Sequence, residues 1–82
     1  MLDLKEVGGK IAECRRARGL TQDELADRLF LSRQAISRWE MGLAAPSIDN
    51  LISLCEVLET SFEEILCLGG AQEKRRHQNE NQ

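Results

Sequence analysis

Four side chains that lie close together in the sequence carry distinctive chemistry: Arg33, Gln34, Ser37 and Arg38. A guanidinium presents a planar fork of donors that matches O6 and N7 of guanine, and a carboxamide pairs in the same way with N6 and N7 of adenine. Ser37 adds a short hydroxyl beside them. Arg and Gln are also good helix formers, so on an arbitrary helix these residues would be only a solvated face. The surrounding pattern argues for more. Ala35, Ile36 and Trp39 are apolar at spacings i, i+1 and i+4, which gathers them on one side of a helix. The other side is left to Arg33, Gln34, Ser37, Arg38 and Met41.

Other chemistries find little support. No combination of His, Cys and carboxylate has catalytic spacing, so no enzyme is expected. Cys14, Cys55 and Cys67 lack metal-ligand spacing and are odd in number. With apolar neighbours at helical intervals, they read as small buried hydrophobes in a reducing compartment. His77 is a lone imidazole in a polar stretch, and Trp39 reads as core rather than as a platform for a ligand. Neither a metal nor a cofactor is expected. There is no signal peptide and no apolar run long enough to span a bilayer, which predicts a cytoplasmic protein.

The elements that must position the four side chains are all helical. Helix one is predicted from about Val7 to Arg18, with Ile11 and Cys14 inward and Gly19 as its stop. Thr21-Gln22-Asp23-Glu24 has the form of a capping box and opens helix two, whose inward residues are Leu25, Ala26 and Leu29. After the short Phe30-Leu31 connection, Ser32 is a good N-cap for helix three, which runs to about Glu40 and stops at Gly42. Beyond Pro46, helix four starts at Ser47 and is predicted to align Ile48, Leu51, Ile52, Cys55 and Leu58. Helix five starts at Ser61, again with a capping box, and buries Phe62, Ile65, Leu66 and Leu68. The fold class predicted is all-α, one compact five-helix domain over 1–68. Residues 69–82 form a polar stretch too poor in apolar side chains to order itself, read as a disordered tail or linker.

Helices two and three, joined by a turn of a few residues, form a helix-turn-helix pair, which offers its second helix to the major groove of DNA. The net charge of −3 argues against a polyanionic partner at first sight, but the charges are polarised. Residues 1–40 hold eight basic and seven acidic side chains, whereas residues 41–70 hold five acidic and no basic ones. A basic face on an acidic body is therefore compatible with the composition. The exposed N–H groups and positive dipole end of a helix favour a phosphate, and Gln22 can add its amide at the first turn of helix two. Such contacts fix register and carry no sequence information.

The segment from Ile11 to Leu66 resembles the phage repressor/Cro type of helix-turn-helix domain, the Xre-like family of bacteria and their phages. The matching signature is R-x-x-x-G-L-T-Q-x-x-L-A at Arg15–Ala26, S-R-Q-x-I-S-x-W-E-x-G at Ser32–Gly42 and P-S-I-x-x-L at Pro46–Leu51. The resemblance implies a lambda-repressor-like five-helix fold. It also implies a transcriptional regulator, a repressor acting as a homodimer on palindromic double-stranded DNA. By position, Arg33, Gln34, Ser37 and Arg38 would face bases, while Thr21, Gln22, Ser32 and Gly42 would meet phosphates. Arg15 would pair with Glu40. The predicted core comprises Ile11, Leu25, Ala26, Leu29, Ile36, Trp39, Leu51, Leu58 and Ile65. Helix five and the loop before it are the expected dimer surface.

The sequence departs from that pattern in three places. Phe30 stands where Gly is frequent in the inter-helix turn, and a bulky residue at positive φ would cost ~1–3 kcal/mol. Either the turn is built differently or burial of the ring offsets that strain. Glu59 replaces the usual Gly or Asn before helix five, and Leu43 stands where a basic loop residue is common. The alternative function on the same fold is a protein-interaction module, antitoxin-like or coactivator-like, using the acidic stretch from Asp49 to Glu64.

Overall fold

A computed structural model describes residues 2–68 of the chain, and the stretch 69–82, with its predicted disorder, lies outside them. Within the described residues the elements are α1 (Leu4–Ala17), α2 (Gln22–Leu29), α3 (Arg33–Glu40), α4 (Ile48–Leu58) and α5 (Phe62–Ile65), with no strand. Each helix has an N-cap whose side chain satisfies an orphan backbone donor: Asp3, Thr21, Ser32, Ser47 and Ser61. At Thr21 the capping box is complete. Thr21 Oγ1 accepts from Glu24 N at 3.0 Å, and Glu24 Oε1 accepts from Thr21 N at 2.8 Å.

The first helix begins at Leu4, three residues before its predicted start, because Asp3 caps it through Lys5 N and Glu6 N. The extra turn brings Val7 into the core. Gly19 and Gly42 adopt positive φ after α1 and α3 and end those helices as expected.

The core gathers Val7 and Ile11 from α1, Leu25, Ala26 and Leu29 from α2, Ile36 and Trp39 from α3, Leu51, Leu54 and Leu58 from α4, and Ile65 from α5. Every residue of the predicted core is in it. Two inward assignments on α4 are corrected. Ile48 and Ile52 are exposed, and Leu54, absent from the predicted face, is fully buried. The stripe that meets the other helices runs through Leu51, Leu54 and Leu58, and Cys55 sits half-buried at its edge. On α5, only Ile65 is buried. Leu66 is half-buried, and Phe62 and Leu68 stay exposed, contrary to an inward placement and in keeping with the partial exposure expected of these three on a dimer surface.

Phe30 also departs from expectation. Its φ of 59° places it in the left-handed region, yet its side chain is 93% exposed. The turn is not built differently and the ring is not buried, so neither alternative holds and the strain is not offset there. Glu59 takes the same conformation at φ 55°, and its carboxylate meets Arg18 Nη2 at 2.8 Å.

Candidate nucleic-acid interface

The orientation of α3 follows from two anchors. Ile36 is fully buried and Trp39 is 5% exposed, both against α1 and α2. At about 100° per residue, positions 33, 37, 41, 34 and 38 fall within an arc of about 140°, away from positions 35, 36 and 39. On that arc, Arg33, Gln34, Arg38 and Met41 are exposed and Ser37 is half-buried. The four predicted base-facing residues thus share one open face.

The other side of α3 is held by an unusually close helix crossing. Gly8 of α1 is buried where a Cβ would lie 2.2 Å from Trp39 O and 2.7 Å from Glu40 O. No side chain fits between these backbones, so glycine lets α1 reach the carbonyl end of α3. Gly42 makes a second close approach, to Lys5, where a Cβ would lie 2.9 Å from Lys5 Cγ.

Glu40, the last residue of α3, accepts from Arg15 through two bonds, Nε to Oε2 at 2.6 Å and Nη2 to Oε1 at 3.0 Å. Arg15 also donates Nη1 to Leu20 O at 2.8 Å. Both side chains are nearly buried, so their charges depend on each other. These hydrogen bonds to Glu40 hold the Arg15 pKa above its ordinary value, against the opposing effect of burial. The predicted pair is present, and it has a third member that the sequence did not suggest. Gln22 Nε2 donates to Glu40 Oε1 at 2.9 Å.

The expected phosphate-facing groups separate into two kinds. Ser32 Oγ accepts from Ala35 N, and Thr21 Oγ1 accepts from Glu24 N, which leaves both hydroxyl hydrogens to donate outward. The first two N–H groups of α2 and of α3, at Gln22, Asp23, Arg33 and Gln34, precede any intrahelical acceptor. Gln22 retains one amide N–H beyond its bond to Glu40. Gly42 differs. Its N–H donates to Trp39 O at 3.0 Å, and the next one, Leu43 N, donates to Arg38 O at 2.9 Å. These bonds close the end of α3, so the Gly42 N–H is engaged in the turn.

Sequence reading missed Gly8, the Gln22–Glu40 bond, and a contact from Arg33 Nε to Asp23 Oδ1 at 3.6 Å. The Gly8-Gly9 pair inside a helical pattern was a usable signal for the first. All three cysteines are free and half-buried, and no group of three metal-ligating residues occurs among the described residues. No helix of the described residues is long and apolar enough to cross a membrane.

A bundle in which α2 and α3 form a helix-turn-helix, with the outer face of α3 open, defines a helix-turn-helix domain. A family model described as "Helix-turn-helix" matches residues 11–65, and the chain belongs to that family. Among curated relatives, the chain is 34% identical over 61 residues to the HTH-type transcriptional activator BcrR of Enterococcus faecalis, covering 74% of this chain and 30% of that one. The chain spans roughly a third to a half of the length of the first relatives it matches. Two solved structures superpose well. The restriction-modification controller protein C.AhdI from Aeromonas hydrophila is 32% identical with a TM-score of 0.72, covering 77% of this chain and 96% of that one. The P22 c2 repressor, solved in complex with a synthetic operator, is 30% identical with a TM-score of 0.70, covering 73% and 91%.

Proposed function

We propose that this chain binds double-stranded DNA sequence-specifically and regulates transcription, as a homodimer that places α3 of each copy in the major groove of a palindromic operator. Where the operator overlaps a promoter, the bound dimer excludes the polymerase and acts as a repressor. The observation that carries this reading is the division of α3. Ile36 and Trp39 are sunk in the core, while Arg33, Gln34 and Arg38 stand together on the open arc. Arg33 and Gln34 begin the helix, the part that enters a groove most deeply.

Arg33 and Arg38 match guanine edges, and Gln34 matches adenine. Thr21, Gln22 and Ser32, with the free N–H groups at the starts of α2 and α3, suit phosphates on either side and fix the register. Two copies would place their α3 helices about 34–36 Å apart, one turn of DNA. Phe62 and Leu68, 46% and 44% exposed, supply apolar surface for the dimer.

Selection of bound duplexes from a random pool tests the proposal. The expected result is a two-fold symmetric consensus, with affinity falling steeply as salt rises. Arg33→Ala or Gln34→Ala should relax preference at one position per half-site, by ~1–3 kcal/mol. Unchanged preference in both variants would overturn the base-reading assignment. Absence of any duplex binding at low salt would instead assign the acidic and apolar surface of α4 and α5 to a protein partner.

A further inference from the structure

We infer that Asp23 is a positioning residue for Arg33, holding the guanidinium in the orientation that reads a base and away from the phosphates beside it. The inference rests on the proposed function and adds a specificity determinant outside the recognition helix.

Consecutive residues at the start of α2 grip the two ends of α3. Gln22 bonds Glu40 at its last residue, and Asp23 Oδ1 lies 3.6 Å from Arg33 Nε at its first. Arg33 and Glu40 are seven residues apart, so they share the side of α3 that faces the start of α2. The side chains of Asp23 and Arg33 are 75% and 57% exposed. An exposed pair of this kind contributes little to stability in the free protein. Its consequence lies in what it does to the guanidinium.

A bidentate contact to guanine uses two N–H groups on one edge of a rigid plane. Asp23 lies on the Nε side of the plane, 3.6 Å away, which turns the Nη1 and Nη2 donors outward as the pair that can meet O6 and N7. An unrestrained arginine at a helix start has a competing option, because its long stem also reaches the adjacent backbone phosphates. The Asp23 carboxylate opposes that option in two ways. It stands beside Nε as an ion-pair partner at 3.6 Å, and its negative charge disfavours a phosphate close by. As DNA excludes water from this surface, the attraction between the two side chains strengthens. Asp23 therefore lowers affinity for all DNA while raising the selectivity of Arg33.

The test uses the duplex selected from the random pool and the same duplex with the Arg33-contacted guanine changed to adenine. Asp23→Asn should reduce the ratio of the two affinities about tenfold. It should also raise affinity for random-sequence duplex several-fold and steepen the salt dependence, with the melting temperature unchanged. Asp23→Glu should restore the ratio. In the free protein, Asp23→Asn should shift the Arg33 Nε–Hε resonance and speed its exchange with water, which a role confined to helix stability would not do. Retention of the full ratio in Asp23→Asn, while Arg33→Ala loses it, overturns this inference and leaves base reading intact. Retention of the ratio in Arg33→Ala overturns both.

Discussion

Arg15 and Glu40 lie 25 positions apart in the sequence, yet they meet through two hydrogen bonds that tie α1 to the end of α3. Because the Glu40 side chain is only 7% exposed, its charge has no recourse to water once the guanidinium is removed. The same carboxylate holds Gln22, so one acid joins three helices.

Glu40→Ala should therefore lower the unfolding free energy by about 3–5 kcal/mol, read from a denaturant midpoint. Arg15→Ala should cost a similar amount. The double variant should cost far less than the sum, since the second substitution removes a charge already stranded by the first. Two additive losses would show that the residues act separately.

Gly8 and Gly9 make a matched pair. On helix propensity alone, alanine at either position gains about 1 kcal/mol. At Gly9 a Cβ meets nothing within 4 Å, so Gly9→Ala should stabilise by up to that amount. At Gly8 the Cβ would run into the Trp39 and Glu40 carbonyls, and backbone cannot swing aside as a side chain does. Gly8→Ala should cost at least ~1–3 kcal/mol through overpacking. Thermal melts of the two variants should move in opposite directions.

Phe30 holds left-handed backbone while its ring lies in solvent. Phe30→Gly removes strain of ~1–3 kcal/mol and adds back about 0.5–1 kcal/mol of unfolded-chain entropy. The net expectation is stabilisation by about 1 kcal/mol, visible as a higher melting temperature. A loss of ~1.5–3 kcal/mol, the amount a buried ring would contribute, would contradict its exposure.

Burial pushes the thiols of Cys14, Cys55 and Cys67 above their ordinary value of 9.0. Below pH 9 the folded and unfolded chains both keep these protons, and stability is unaffected. As pH rises past 9, the unfolded chain ionises first, so stability falls until the folded thiols ionise as well. Denaturant midpoints should drop as pH rises above 9, and Cys14→Ala should lessen the drop. At neutral pH the native thiols should alkylate slowly, because the thiolate is the reactive form.

The start of every helix but the first was legible to within a residue or two, because a cap depends on a side chain and an N–H group two or three positions away. Thr21, Ser32, Ser47 and Ser61 all act as N-caps, but at Ser61 only half of the predicted capping box forms, because the Glu64 carboxylate meets Lys10 instead. Asp3 was overlooked, and α1 is longer as a result. Helix four shows where periodicity stops being enough. Its apolar residues exceed what one face can hold, so several stripes fit the sequence equally well. Only the position of the neighbouring helices selects Leu54 and leaves Ile52 in solvent.

The amino-acid order alone established five short amphipathic rods, their caps, the helix-turn-helix spacing and the division of α3 into an apolar and a hydrogen-bonding side. All of these depend on neighbours within about one or two turns. The docking of the rods decided what remained: the bare crossing at Gly8, the share Gln22 takes in the Glu40 carboxylate, the Asp23–Arg33 contact, the solvent-facing ring of Phe30 and the engaged Gly42 N–H. Those features require knowing how far apart two helix axes lie and how each is turned about itself, which is set by packing the whole core at once.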